Sequence, residues 1–389
     1  MPILADKLNC TGCTACASIC PKNAIEMRAD GMGFKYPTID STLCIECKLC
    51  EKKCPIIVDS SDVENSVIDS YAAQMRDSNQ LMDSQSGGAF QSMATHVIRH
   101  GGIIYGAAFN KDLSVSHHRI DSYENLSSLY KSKYVQSDLG ECFKHVINDL
   151  KDGRTVLFSG TPCQVAGLKK IIPNKNKDNL ITIDLICHGV PAPYVYREYL
   201  KYQEKENGKE ISKFTFRDKA ECGWKTTRES MEFSDDEKII SYKYNFLFLA
   251  KDLLSRQACS RCQFCNTHRV SDITVGDCWG WEKLGRTDFD EYKGVSLILI
   301  NTHRGKNAVK HLSENMNLIP IDLTKLMQRN LQKPTERPKA ADSVARDFQA
   351  HGFEYIHKKY GHTKRNLLRY KIISYLNAVR RRIKKYFRI

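Results

Sequence analysis

The sequence predicts an α/β protein in two unequal parts: a small cysteine-rich head, and a larger body on a mostly parallel sheet with an α+β portion and a basic C-terminal helix. Three observations carry that reading. Four cysteines and a proline recur twice at one pitch, as CTGCTACASICP (10–21) and CIECKLCEKKCP (44–55). After residue 70, short β-branched runs alternate with stretches whose apolar residues fall at helical spacing. Residues 364–389 carry ten Lys or Arg and no acid.

A chain of 389 residues exceeds one small core. We divide it into a head (1–58), a linker (59–70), a body (71–340) and a helical C-terminal region (341–389). Of the formal charge of +14, the tail holds ten, which leaves +4 for the rest and localises the basicity. No apolar run approaches the roughly 18 residues of a bilayer span, and no export signal precedes Cys10, so a cytoplasmic location is expected. In a reducing compartment sixteen cysteines point to metal rather than to disulfides.

Each cysteine run reads C-x2-C-x2-C-x3-C-P, the second copy 34 residues after the first. Three thiolates at this pitch curl around one iron–sulfide cube, and the fourth, set apart by three residues and a proline, ligates the other cube. This assigns Cys10, Cys13, Cys16 and Cys54 to one 4Fe-4S cluster, and Cys44, Cys47, Cys50 and Cys20 to a second. Small residues between the ligands (Thr11, Gly12, Thr14, Ala15, Ala17) leave room for backbone N–H groups to face sulfur. Structural zinc closes with four ligands and has no use for a third cysteine at the same gap. The segment is similar to the bacterial two-cluster 4Fe-4S ferredoxins over residues 3–57.

DSSDVENSVIDS (59–70) is polar and aperiodic, hence a linker. In AFQSMATHVIRH (89–100), Ala89, Phe90, Met93, Ala94, Val97 and Ile98 define one buried helical face. GGIIYGAAF, RTVLFSG and NLITIDLIC alternate with helix-period stretches, which implies a mostly parallel sheet covered on both faces. RESMEFS and IISYKYN, parted by DDEK, read as an antiparallel hairpin, while SDITVGD and VSLILIN return to the sheet. No G-x-G-x-x-G follows a strand, so a standard dinucleotide fold is not indicated.

Two junctions could receive a second redox group. In SQSGGAF (84–90), Ser86, Gly87 and Gly88 open a helix whose N–H groups could meet a pyrophosphate, although alone they read as an ordinary N-cap. In LFSGTPCQVAGL (157–168), a strand runs into Gly160, Thr161, Pro162 and Cys163 ahead of a helix. QSGGAFQSMATHVIRHGGIIYGAAF, KSKYVQSDLG, FSGTPCQVAGL, IDLICHGVPAP and CSRCQFCNTHRVSDITVGDCWG, in that order, resemble the beta-subunit family of coenzyme F420 hydrogenases and dehydrogenases over residues 71–340. The resemblance implies an iron–sulfur flavoprotein oxidoreductase. Its FAD exchanges electrons between clusters and a two-electron carrier, either a deazaflavin or another small molecule. It places Ser86, Gly87, Gly88, Lys133, Tyr134, Gly160, Thr161 and Gln164 at the flavin.

Cys259, Cys262 and Cys265 repeat the two-residue gap, and Cys163 and Cys187 follow strands of one sheet. Four of these five could hold a third 4Fe-4S cluster. The resemblance favours Cys163, Cys187, Cys259 and Cys262, while buried cysteines that merely pack are the plainer alternative. Cys142, Cys222 and Cys278 read as packing residues. His188 and Asp277 are the candidate catalytic proton carriers, since a two-electron carrier also needs protons. FTFRDKAECGW (214–224) is a candidate wall of the acceptor pocket.

In the tail, Leu368, Ile372, Tyr375, Leu376, Val379, Ile383 and Phe387 recur at helical spacing among basic residues. That suits the inner face of an anionic membrane, and equally a terminal helix packed on its own domain or on a second subunit. Nucleic acid is not an expected ligand, because no nucleic-acid fold accompanies the charge. A redox partner protein is the other expected contact. The rival to an enzyme is an electron-transfer subunit that lacks a substrate site of its own.

Overall fold

A computed structural model describes residues 1–58, 66–285 and 288–362, together with 364 and 368. The proposed linker lies mostly outside the described residues, as does the basic amphipathic tail.

The sequence repeat in the head is also a conformational one. In each copy a residue with left-handed backbone, Thr14 (φ 63°) or Lys48 (φ 58°), turns the cysteine loop into a short helix, α1 (Ala15–Ile19) or α2 (Leu49–Lys52). Between them, β1 (Ile25–Ala29) and β2 (Lys35–Ile39) form an antiparallel hairpin in the register Ile25 to Ile39. Its turn is tied by the Asp30 carboxylate, which accepts from the N–H groups of Met32 and Phe34. Gly33, at φ +85°, lets Tyr194 of the body approach: a Cβ there would meet its ring at 2.6 Å.

The body contributes β3 (Asp69–Met75), α3 (Ser78–Asp83), α4 (Ala89–Arg99), β4 (Ile103–Phe109), β5 (Val115–Ile120), α5 (Cys142–Lys151), β6 (Val156–Gly160), α6 (Pro162–Ile171), β7 (Leu180–Leu185) and α7 (Pro193–Asn207). β8 (Ile211–Thr215), β9 (Glu229–Phe233), β10 (Lys238–Ser241), β11 (Ile273–Asp277), β12 (Ser296–Ile300) and β13 (Met316–Pro320) follow. The large sheet has the order β13-β3-β12-β11-β7-β6-β4-β5. Its centre, β11-β7-β6-β4, is parallel, and every pairing outside that centre is antiparallel. β3, β4, β6, β7 and β11 thus run one way and β5, β12 and β13 the other. The apolar run SLILI is buried at all five positions, and such a run specifies burial on both faces but not the direction of its neighbours.

Strict alternation divides the side chains of the sheet between two cores. Ile104, Leu157, Ile183 and Ile298 pack against Met93, Ala94 and Val97 of α4. Ile103, Tyr105, Val156, Phe158 and Leu180 face the other way, onto Phe143 and Val146 of α5 and Val165 and Leu168 of α6. Cys13 and Ala15 of the head join this second core. Gly167 makes the contact possible, because a Cβ on it would lie 2.8 Å from Cys13 Sγ.

β8, β9 and β10 form a separate antiparallel sheet, with β9 and β10 joined by the DDEK turn. Its aromatic core includes Tyr196, Tyr199, Phe214, Phe216, Phe233 and Tyr244. Val344, Phe348, Phe353 and Ile356, from the helix Ala341–Tyr360, pack into the same core. This stretch of the C-terminal region is therefore part of the body's interior rather than an appendage. Among the described residues, no helix is long and apolar enough to cross a membrane.

Candidate redox site

In the head the eight cysteines face two separate spaces. Cys10, Cys13, Cys16 and Cys54 line one cavity, walled by Leu4, Met27, Pro37 and Ile56. Cys20, Cys44, Cys47 and Cys50 line another, walled by Pro2, Ala24, Ile25 and Ile39. Each ring takes three thiols from one run and the fourth from the other. Backbone N–H groups of Gly12, Ala15 and Ala17 are directed at the sulfurs of Cys10, Cys13 and Cys16, and that of Ala24 donates to Cys20 Sγ at 3.3 Å. Burial raises the thiol pKa of Cys10, Cys13 and Cys50 and pushes Cys16 up to about 12, so a metal bound by them would have to displace protons. Among the described residues no three His, Cys, Asp or Glu stand close enough to grip one ion. The thiols surround a volume, as a polynuclear group requires.

A third set of thiols lies in the body. Cys163 enters at the first turn of α6, where the N-cap Thr161 hydroxyl stands 3.2 Å from its sulfur. Cys187 follows β7, with the Gly189 N–H 3.4 Å from its sulfur. Cys259 belongs to the 3-10 turn Gln257–Arg261, and Cys262 follows it. Cys163, Cys187, Cys259 and Cys262 act on one another electrostatically. Burial pushes Cys163 up to about 11 and Cys259 up to about 12. Cys265 sits behind this group, hydrogen-bonded to Cys262 and with its sulfur 4.0 Å from the Cys187 carbonyl. Cys13 couples to Cys163, and Cys16 to Cys50, so the three sets form a series from the outer head into the body. Cys142 and Cys278 are buried in apolar cores.

A cluster of basic side chains stands near His188 and Asp277. Arg217, 4% exposed, donates to Asp277 at 2.6 Å, to the Trp224 carbonyl at 2.6 Å and to the Tyr134 hydroxyl at 3.4 Å. Trp224 Nε1 holds the other Asp277 oxygen at 2.8 Å. His188 lies within electrostatic reach of Asp277 and Arg217, and burial lowers its pKa. Lys219 donates to the carbonyls of Leu81 and Ser86, Lys133 to those of Tyr130 and Ser128. Burial pushes both lysines down to about 7, with Lys131 adding to the effect in each. Neither has a carboxylate partner among the described residues. Desolvated ammonium groups satisfied only by carbonyls fit an anionic ligand such as a pyrophosphate.

The individual flavin candidates are placed as follows. Ser86 Oγ donates to the Val295 carbonyl at 2.7 Å, and the Gly87 N–H to Ser296 Oγ at 2.9 Å. A Cβ on Gly87 would lie 2.0 Å from the Ala73 carbonyl, so packing against β3 already demands glycine there. Gly88 is the left-handed N-cap of α4. Gly160 ends β6, and Thr161 and Gln164 close a capping box on α6, with Gln164 Nε2 reaching Ser137. Thus Ser86, Tyr134, Asp277 and His188 lie around Lys219 and Arg217, while Thr161 and Gln164 bond to each other and to Cys163 and Ser137, with Gly160 packed beside Gln164. Sequence reasoning quoted Arg217, Lys219 and Trp224 only as part of a segment without assigned chemistry. It missed Arg256, a lone arginine three residues before Cys259.

Residues 153–324 match the family model for the C-terminal part of coenzyme F420 hydrogenase/dehydrogenase beta subunits, and residues 9–58 match a 4Fe-4S dicluster domain. Over residues 153–324 the chain resembles this beta-subunit family. The chain is 25% identical over 359 residues to the coenzyme F420-dependent sulfite reductase of Methanocaldococcus jannaschii, covering 86% of this chain and 51% of that protein. It therefore spans about half the length of that relative. An uncharacterized ferredoxin of the same organism is 38% identical over 53 residues, 14% of this chain and 68% of that one. Among solved structures, a xenon-derivatised F420-reducing NiFe hydrogenase complex from Methanosarcina barkeri aligns over 76% of this chain and 92% of the matched one. The identity is 14% and the TM-score 0.47. The family match takes in Gly160, Thr161, Gln164 and the four body cysteines but not the stretch from Ser86 to Tyr134.

Proposed function

We propose that this iron–sulfur redox protein, related to the F420 hydrogenase/dehydrogenase beta subunits, is a flavin-dependent oxidoreductase, in which clusters at the two head rings and the body thiols relay single electrons to or from FAD, for two-electron conversion of a small acceptor. The observation that carries this reading is the three thiol sets together with a cluster of desolvated basic side chains bonded only to backbone carbonyls. A bound flavin would supply the exchange between one-electron and two-electron chemistry. Arg217, Lys219 and Lys133 would bind its phosphates, and Tyr134 and Trp224 would wall the site. Asp277 is engaged by Arg217 and Trp224 and so positions the arginine rather than moving protons. His188, exposed at its edge and shifted toward its neutral form, would accept one. A deazaflavin carrier is the acceptor class suggested by the sulfite reductase relative, whose name states F420 dependence.

A second reading has its own observation: the chain corresponds to only half of that reductase, as a subunit feeding a separate catalytic partner would. Anaerobic purification with iron, sulfide and flavin analysis tests the first reading. We expect twelve iron and one FAD per chain. Eight iron would remove the body cluster, and absence of flavin would remove the proposal. Reduction of a deazaflavin only after addition of a partner protein would favour the second reading.

A further inference from the structure

Arg256 is 1% exposed, yet its bonds reach toward the head. Nε donates to the Cys10 carbonyl at 2.8 Å, Nη2 to the Lys35 carbonyl at 2.9 Å, and Nη1 to Gln136 Oε1 at 3.0 Å. Gln136 in turn donates to the Thr11 carbonyl at 3.1 Å. Nη2 also points at Cys10 Sγ, 3.8 Å away. The guanidinium lies over the Tyr36 ring at 4.1 Å from its centroid and faces Phe34 at 5.4 Å. Gly12, at φ +71°, admits it, since a Cβ there would lie 2.7 Å from Nη1. The side chain is therefore fixed on several sides, with its charge against the first thiol ring.

Its partners include no carboxylate among the described residues. A buried guanidinium without a counter-charge is costly, and the groups able to become anionic around it are thiols. Cys10 is held by it directly, and Cys163 and Cys259 of the body set also feel its field. A cluster bound by four thiolates carries negative charge that grows by one on reduction. A fixed positive charge and an N–H donor at sulfur both favour the reduced form.

Resting on the function proposed above, we propose that Arg256 sets the reduction potential of the cluster at Cys10, Cys13, Cys16 and Cys54. It would raise that potential so that an electron entering from the outer ring settles there, next to the body thiols. The step is a one-electron reduction; the guanidinium keeps its proton and none is transferred. Because the donor sits on the loop that carries Cys259, the charge that tunes the head cluster is delivered by the body, and a detached head would lack it.

The test is an EPR-monitored redox titration of the anaerobic full-length chain with viologen mediators, comparing wild type with Arg256→Met and Arg256→Lys. The relevant signal is the one lost in Cys54→Ser. In Arg256→Met its reduction equilibrium should fall at least tenfold, which is about 59 mV for one electron. Arg256→Lys, which keeps charge but not the bonding fork, should shift less in the same direction, and the Cys20, Cys44, Cys47 and Cys50 signal should not move. A merely structural arginine would lower the melting temperature and leave the midpoint in place. Unmoved midpoints in iron-loaded variants overturn the inference alone, and if the methionine variant loses iron, an unmoved midpoint in Arg256→Lys does so. Wild-type chain without iron overturns the proposed function and this inference with it.

Discussion

At the residue scale, the most decisive side chains are the two cysteines that cross between rings. Cys54 completes the set of Cys10, Cys13 and Cys16, and Cys20 that of Cys44, Cys47 and Cys50. Cys54→Ser should cost the first cluster and spare the second, and Cys20→Ser the reverse. Iron analysis should then show about four fewer irons in each, with different EPR signals missing. Loss of the same signal in both would contradict the crossed arrangement. The buried lysines make a separate prediction. With Lys133 and Lys219 down near 7, the ligand-free protein sheds these protons above that pH, and a phosphate-bearing ligand must restore them. Flavin affinity should therefore be greatest below pH 7 and fall as pH rises through 7 to 9, approaching tenfold per unit for each lysine involved. Lys219→Met should weaken binding about tenfold to a hundredfold at pH 7, the loss of one charge-assisted bond, and flatten the slope. Isothermal titration of flavin into deflavinated protein reads both.

At the element scale, the junction before α4 is held by packing as much as by anything it binds. A methyl at Gly87 would meet backbone of β3 and β12 rather than a flexible side chain. Gly87→Ala should thus destabilise the flavin-free body by about 1–3 kcal/mol in urea unfolding. No change in stability would return that glycine to a purely ligand-binding role. The example marks the limit of legibility in the sequence. Ser86, Gly87 and Gly88 were visible as a helix entry, but the strand lying behind them, β3, is distant in sequence from its partner β12. Strand existence was legible in β6, β7, β11 and β12 through their apolar runs, whereas their directions were not, because burial looks alike in parallel and antiparallel neighbours. The cysteine rings were the most readable feature, since three of four ligands sit within seven residues. Arg256 was unreadable: its partners are residues 10, 35 and 136, and only folding gathers them.

At the scale of the whole molecule, head and body meet where α6 presents Gly167 to Cys13, and they are one hydrophobic object because both contribute to a single core. The body in turn depends on the helix Ala341–Tyr360. Val344, Phe348, Phe353 and Ile356 together place four large side chains in the aromatic core, each contributing about 1.5–3 kcal/mol. Truncation after residue 340 should yield aggregated or unfolded protein, whereas truncation after residue 362 should keep the circular-dichroism melt and iron content of the full chain. A folded, loaded 1–340 fragment would show the helix to be dispensable.

The crossed rings also have a mechanical consequence. Few side chains of the head are buried, chiefly Ala15, Ala24, Ile25, Met32 and Phe34, too few to hold some fifty residues shut by themselves. Inorganic rivets joining the first loop to the last would supply the rest, so oxygen damage that stripped one would let the head unbutton and offer it to proteases before the remainder loosens.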